Sequence, residues 1–364
     1  MKNKKIAVVH DWLSVNGGAE IVLKYILELY PHADIYTMVD TLPLESRTWL
    51  EGHTIYTSIL QKNRWVAQRY RYFIPMMPYL IEQFDLSDYD IIISSSHAVA
   101  KGVLVHPHQK HIAYIYSPMR YAWDLMYEHE RLGVFGKGIV KFMLKRWLHK
   151  MRIWDYVSAQ RPDILIADST FIKKRIQKCW RRDAEVVYPP VEFDECCYRE
   201  EKQDYYVTLS RLVEYKRVDL IVEAFNALPE KKLIVIGEGC AFEKLKKIAH
   251  SNIEFKGHLP RKEAMNYIAY AKAFIFMAKE DFGIAPLEAQ ACGTPVIAYG
   301  QGGARETVIE GKTGVFVEEQ TSQSLIEAIA QFESIAIDPN ACAKNALTFS
   351  IDNFKKQFEA YLKD

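Results

Sequence analysis

Two carboxylates, Glu280 and Glu288, stand eight positions apart in the segment EDFGIAPLEAQACGTPVIA. A carboxylate accepts hydrogen bonds from hydroxyls, so two of them at this spacing can serve two sugar rings of one ligand. Between them, Phe282, Gly283 and Ile284 offer backbone N–H groups at the start of a helix, where unpaired donors and the helix dipole suit an oxygen or a phosphate. Farther upstream, Arg211 directly follows a strand and Lys216 comes five residues later. They bring a guanidinium fork and a compact ammonium to phosphate oxygens. Together these residues describe a pocket for a polyhydroxylated, phosphorylated molecule. The plainer alternative is a capping Glu, a surface Glu and two solvated cations. Asp88-Tyr89-Asp90 has the spacing of a metal-binding pair of aspartates, but it stands just before a strand, where a solvated turn is the stronger reading.

Positioning these groups requires alternating strands and helices. The apolar run Phe274–Met277 suits a strand buried on both faces of a parallel sheet. The spacing predicts a helix from Pro286 to Cys292, opened by a Pro that tolerates the missing N–H and stopped by Gly293. A strand over Pro295–Tyr299 and a loop with Gly300, Gly302 and Gly303 follow. Ligands bind at the carboxyl ends of such parallel strands. Upstream, Ile6–Val9 reads as a strand, and Gly17-Gly18 opens an amphipathic helix over Ala19–Leu29, a turn that lets backbone approach an anion closely. Further strands are expected near Ala33–Thr37, His53–Tyr56, Ile91–Ser94, Ile112–Ile115 and Ile164–Ala167. A second series is expected near Tyr205–Leu209, Lys232–Ile236 and Ile253–Phe255. This alternation argues for an α/β chain of doubly wound parallel sheets. His97 lies at a strand end and is a further site candidate, although a lone His is more often structural.

The residues quoted above, followed by GGARETV at Gly302–Val308, resemble the signature of retaining glycosyltransferases of family four. The likeness is greatest to bacterial mannosyltransferases of the WbaZ type, through SRLVEYKRVDLIVEAF at Ser210–Phe225, SSSHAVAKGV at Ser94–Val103 and SPMRYAWD at Ser117–Asp124. The resemblance implies the GT-B fold: two Rossmann-like doubly wound domains facing a cleft, with a C-terminal helix returning to the first. It implies an acceptor domain over 1–188, a nucleotide-sugar donor domain over 189–349 and a returning helix over 350–364. By the same resemblance, Glu288 holds the nucleotide ribose and Glu280 the transferred sugar. Phe282, Gly283, Ile284 and Ala285 contact phosphate and sugar through backbone groups. Gly257 and His258 border the base, and Gly17 and Gly18 face the donor diphosphate and acceptor. Arg211 and Lys216 neutralise the leaving diphosphate, so no metal or other cofactor is expected. Position 116 often carries His in related enzymes, near the reacting centre; here it is Tyr116, a departure that leaves that contact open. The implied activity moves a hexose, mannose from GDP-mannose foremost, to a glycan or lipid-linked saccharide in surface-polysaccharide synthesis. A sugar-nucleotide epimerase, a phosphorylase or a nucleotide-binding partner subunit of weak activity are the alternatives.

The 364 residues favour two domains, and a net charge of +1 argues against nucleic acid as a partner. Six cysteines without a metal-type spacing fit a reducing cytoplasm. The basic N-terminus is followed by too few apolar residues for a signal-peptide core, and no run is long enough to span a bilayer. Membrane contact is therefore expected to be peripheral, on the inner face. Two stretches suit it: Arg64–Leu80, where Arg64, Arg69 and Arg71 alternate with aromatics, and Lys137–Arg152, where Lys141, Lys145, His149 and Arg152 recur at helical spacing. Such faces can lie in anionic headgroups. The alternative is that the apolar faces pack on the sheet while the charges are solvated.

Overall fold

The computed structural model describes residues 4–124, 126–127 and 137–363. The chain divides into two compact units, residues 1–189 with 354–364 and residues 190–353.

The first unit is built on a seven-stranded sheet in the order β3-β2-β1-β4-β5-β6-β7. Its strands are β1 (Ile6–His10), β2 (Asp34–Thr37), β3 (Ile55–Thr57), β4 (Ile91–Ser96), β5 (Lys110–Ile115), β6 (Ile164–Ala167) and β7 (Glu185–Val186). Every neighbouring pair is parallel. Short apolar runs such as Ala7–Val9 and Ile91–Ile93 are completely buried because helices cover both faces of the sheet. The strand order reverses between β1 and β4, which places the topological switch point at their carboxyl ends.

The two stretches with membrane-type patterns fold differently. Residues 64–81 form no continuous amphipathic helix. They make a helix over Arg64–Gln68, a 3-10 segment over Tyr70–Met76 containing Pro75, and a helix over Met77–Ile81. Pro75 and Pro78 interrupt the run, while Ala67, Tyr70, Met77, Leu80 and Ile81 enter the core. Gly138–Ser158 is a single helix of 21 residues. Its buried stripe, Leu148, Met151, Asp155 and Ser158, lies in the C-terminal half, where Asp155 receives the Lys101 ammonium at 2.6 Å. The indole N–H groups of Trp123 and Trp180 donate to the same carboxylate at 2.8 and 2.7 Å. The N-terminal half leaves Ile139, Val140, Phe142 and Met143 exposed.

In the second unit a six-stranded parallel sheet runs β10-β9-β8-β11-β12-β13. Its strands are β8 (Gln203–Leu209), β9 (Leu233–Ile236), β10 (Ile253–Gly257), β11 (Ala271–Phe276), β12 (Val296–Tyr299) and β13 (Gly314–Val317). Alternate residues take opposite faces, as a period of two requires. Tyr206, Ala273 and Ile275 pack beneath the helices Val218–Asn226 and Ser322–Glu333. Val207, Phe274 and Phe276 pack beneath Arg261–Tyr270 and Ile284–Ala291. Here the order reverses between β8 and β11.

The last helix, Ile351–Lys363, buries Phe354, Phe358 and Leu362 at successive four-residue steps. Phe354 and Phe358 lie edge-on or tilted against Tyr114, with ring centroids 6.0 and 6.3 Å away, and Lys355 pairs with Glu28 at 2.6 Å. The helix thus returns to the first unit's sheet.

Candidate active site

The carboxyl ends of β8 and β11 flank the second unit's switch point, and the sequence places charged residues after both. Leaving β8, the chain passes Ser210 and Arg211 and makes a 3-10 turn over Glu214–Lys216. Leaving β11, it passes Glu280 and enters the helix Ile284–Ala291. The Lys216 ammonium and the Glu280 carboxylate form a direct ion pair, both side chains largely but not fully buried. Arg211 is exposed at the same edge, with Nη2 donating to the Tyr215 hydroxyl at 3.0 Å. It meets neither carboxylate.

The helix after Glu280 starts at Ile284, two residues before the position expected from Pro286. Gly283 is its N-cap with φ +91°, a left-handed conformation that opens the helix one residue after the turn. Pro286 consequently sits at the third helical position, still within the first turn where its missing N–H is harmless. No side chain caps the helix. The Phe282 ring turns inward, 5.6 Å from Phe349. The loop after β12 closes tightly on this turn: Gly303 N–H donates to the Glu280 carbonyl at 2.9 Å. A Cβ at Gly302, whose φ is +73°, would lie 2.3 Å from that same carbonyl oxygen. Only glycine permits this approach, and it fixes the backbone that carries Glu280.

Glu288, on the helix, is buried at 7% exposure. Its Oε1 receives Arg261 Nη2 at 2.6 Å, and Arg261 Nε also lies 3.3 Å from Glu195. Gly257 ends the edge strand β10 and His258 follows it, its N–H 3.4 Å from Glu238 Oε1 in a long hydrogen bond. Sequence reasoning missed Arg261. Nothing local marks it, since its partner lies 27 positions away on another helix.

At the first unit's switch point, polar groups meet one another. Asp11, just after β1, is fully buried and accepts the backbone N–H groups of His97, Ala98, Val99 and Ala100 at 2.6 to 2.9 Å. The His97 ring approaches the same carboxylate at 3.1 Å and stands edge-on to Trp12. Burial pushes the Asp11 carboxyl up, but His97, His10 and the N–H donors outweigh burial and hold it below its ordinary value. Burial holds the His97 imidazole below its ordinary value despite Asp11. Beside this, His10 Nδ1 meets Ser95 Oγ at 3.0 Å, and Ser95 Oγ meets the Tyr116 hydroxyl at 2.9 Å. Tyr116 also bonds the Ala19 carbonyl at 2.9 Å, and burial raises its phenol far above the ordinary range. Gly17 caps the first helix while its N–H donates to Glu20 at 3.0 Å. Tyr116, His97, Gly17 and Gly18 are therefore gathered at one sheet edge. His10, Asp11, Glu20 and Ser95 were not singled out, although polar residues directly after a buried strand, as in VVHD, carry the same signal that marks Arg211.

Asp88-Tyr89-Asp90 lies at the other, amino end of β4. Asp90 accepts Lys5 N–H at 2.8 Å and the Tyr89 hydroxyl donates to Asp34 at 2.7 Å. Among the described residues no cluster of three or more His, Cys, Asp or Glu side chains is arranged to hold a metal ion. All six cysteines are free thiols.

Residues 198–349, most of the second unit, match the family model described as glycosyl transferases group 1. A GDP-mannose-dependent alpha-(1-6)-phosphatidylinositol monomannoside mannosyltransferase of Mycolicibacterium smegmatis is 31% identical over 169 residues, 41% of this chain and 44% of that protein. A GDP-mannose-dependent monoacylated alpha-(1-6)-phosphatidylinositol monomannoside mannosyltransferase of Corynebacterium glutamicum is 37% identical over 139 residues, 33% and 36% of the two chains. The chain thus spans less than half the length of these two relatives. Among solved structures, Anabaena HepE in complex with UDP superposes with a TM-score of 0.71 at 17% identity, covering 99% of each chain. Sucrose-phosphate synthase from Thermosynechococcus elongatus gives 0.70 at 15% identity, covering 99% of this chain and 98% of that one. The fold is that of the GT-B glycosyltransferases, and the second unit carries the group 1 sequence pattern.

Proposed function

We propose that this protein is a retaining glycosyltransferase that moves a hexose, most specifically mannose from GDP-mannose, to a glycan or lipid-linked saccharide. The observation that carries the reading is the Lys216–Glu280 pair at the switch point of the unit that matches glycosyl transferases group 1. Without ligand the two charges compensate each other. A nucleotide sugar offers each a better-matched partner: diphosphate oxygens to Lys216, and sugar hydroxyls to Glu280. Glu288 takes the ribose hydroxyls, the backbone of Phe282–Ala285 the phosphate and sugar, and Gly257-His258 the edge of the base. The two named relatives are GDP-mannose-dependent, which supports mannose over glucose.

In the transfer, the acceptor oxygen forms a bond to the anomeric carbon on the face from which the diphosphate leaves. The bond from that carbon to the phosphate oxygen breaks, and the acceptor proton passes to the departing phosphate. Charge develops on the leaving group, where Lys216 and Arg211 stabilise it without a divalent cation. The acceptor is assigned to residues 1–188, which lie within the first unit. GDP-mannose turnover by the purified protein, with and without excess EDTA and with UDP-glucose in parallel, tests the reading. Turnover of GDP-mannose unaffected by EDTA is the expected result. Nucleotide binding without turnover would instead favour a partner subunit, and loss in EDTA with rescue by magnesium would overturn the cationic mechanism.

The acceptor side is further proposed to work at the inner face of a membrane, through the exposed N-terminal half of the helix Gly138–Ser158. Among the described residues no helix is long and apolar enough to cross a bilayer. Ile139, Phe142 and Met143 stand exposed beside Lys141 and Lys145. Arg152, by contrast, is turned inward, Nη1 donating to the Ala122 carbonyl at 2.8 Å. Flotation with anionic vesicles should fall with salt and with Lys141→Gln/Lys145→Gln; indifference to both would leave the helix a structural element.

A further inference from the structure

The Arg261–Glu288 pair is unusual in where its cation comes from. Arg261 is the first residue of the helix Arg261–Tyr270, the end at which the helix dipole disfavours a positive charge. Lys262 follows it, so the helix start gains nothing from this arginine. Its guanidinium instead spans two carboxylates on different segments, Glu288 at 2.6 Å and Glu195 at 3.3 Å, with the Glu192 carbonyl 3.3 Å from Nη2. Glu288 is the buried member, whereas Arg261 and Glu195 are both close to half exposed. A carboxylate taken from water without a partner is costly, and a fork-shaped donor bound to one oxygen also fixes its plane.

We propose that Arg261 is the positioning residue for ribose recognition: it holds the Glu288 carboxylate by Oε1, is itself braced by Glu195, and so sets how strictly the site requires the ribose hydroxyls. The inference rests on the assignment of Glu288 to the ribose. It makes Arg261 a residue that acts through Glu288 rather than on the reacting atoms. Because the hydroxyls of a ribose lie at fixed directions, a carboxylate free to rotate recognises them poorly even when its charge is intact.

The test is titration calorimetry of GDP, UDP and their 2′,3′-dideoxy analogues against the wild-type protein and variants. Wild type should prefer at least one ribonucleotide to its dideoxy form. Glu288→Gln should lower that affinity about tenfold and erase the preference, the scale expected for hydrogen bonds to a charged group. Arg261→Met should do the same, Arg261→Lys should recover part of the preference, and Glu195→Gln should fall between them. Combining Arg261→Met with Glu288→Gln should be no worse than Glu288→Gln alone, because the two act as one unit. Dideoxy affinity, carried by the phosphates, should change little in any of them, which separates loss of ribose reading from a damaged fold. If Glu288→Gln erases the preference while Arg261→Met and Glu195→Gln keep it, the role of Arg261 is wrong and the assignment of Glu288 stands. If Glu288→Gln itself leaves affinity and preference unchanged, the ribose assignment on which the inference rests is wrong.

Discussion

The two sheets end alike and are used differently. Each has its strand order reversed at the centre, and each gathers polar side chains at the carboxyl ends of the two strands that flank the reversal. In the first unit those groups are consumed by the protein itself. Asp11 is fully buried and saturated by four backbone N–H groups, and the Tyr116 hydroxyl is divided between Ser95 and Ala19. In the second unit Lys216 meets Glu280 through a contact still open to water, and Arg211 stays exposed with a single neutral partner. Saturated, buried groups hold a backbone in place; accessible ion pairs can exchange partners for a ligand. The same topological position thus carries a saturated, buried network in one unit and an accessible ion pair with an exposed arginine in the other.

That contrast is most severely tested at Asp11. Asp11→Ala orphans four buried donors, so urea denaturation should show a loss of about 4 kcal/mol, within the range for breaking a buried charged network. A loss below about 1 kcal/mol would show the edge is less dependent on this carboxylate than its geometry implies. The pH dependence has a definite sign. Because the folded state holds the Asp11 carboxyl below its ordinary value, its contribution is complete above the unfolded value near ~3.9 and disappears as the pH falls through the folded one. The stability gap between wild type and Asp11→Asn should therefore be constant near neutrality and close in acid.

Lys216→Ala should invert that pattern. Its ion pair is largely buried but reaches water, so the melting temperature should fall, though by less than for Asp11→Ala, which orphans four buried donors. Donor turnover, however, should fall on the order of 10²-fold, as when one preorganised stabilising group is lost. A large fall in melting temperature with turnover preserved would make Lys216 a fixture like Asp11.

The smallest effect is expected at Tyr116. Tyr116→Phe removes the hydroxyl from Ser95 and Ala19 and should cost about 1 kcal/mol of stability. Because that hydroxyl already has protein partners, turnover should fall less than for Lys216→Ala. A greater loss of turnover than at Lys216 would place Tyr116 among the groups that touch the donor.

How much of this was legible in the sequence follows from the range of each contact. Eleven of the thirteen described strands could be read because buried parallel strands are short apolar runs bounded by turn residues, and their observed limits differ from expectation by three residues at most; the two-residue β7 and the strand β13 from Gly314 were not expected. Glu280, Glu288 and Lys216 could be singled out because chemistry-bearing residues after a strand stand in a recognisable order along the chain. Gly283 shifted the helix start because its left-handed backbone, rather than Pro286, opens the turn. The stretch 64–80 reads as amphipathic by its basic and aromatic spacing, yet Pro75 and Pro78 break it into short pieces that send Ala67, Tyr70, Met77 and Leu80 into the core and leave Trp65, Tyr72, Met76 and Tyr79 exposed. Arg261 was illegible: its pairing with Glu288 exists only once two helices lie side by side on one face of the sheet.

The central claim is that Glu280 and Glu288 divide the donor between them, sugar to one and nucleotide to the other. Glu280→Gln examined for both GDP-mannose turnover and GDP affinity tests it most directly. The account predicts turnover reduced on the order of 10²-fold with the Kd for GDP within about twofold of wild type, since the lost interaction belongs to the transferred sugar. Turnover and GDP affinity falling together by the same factor, or neither changing, would contradict it.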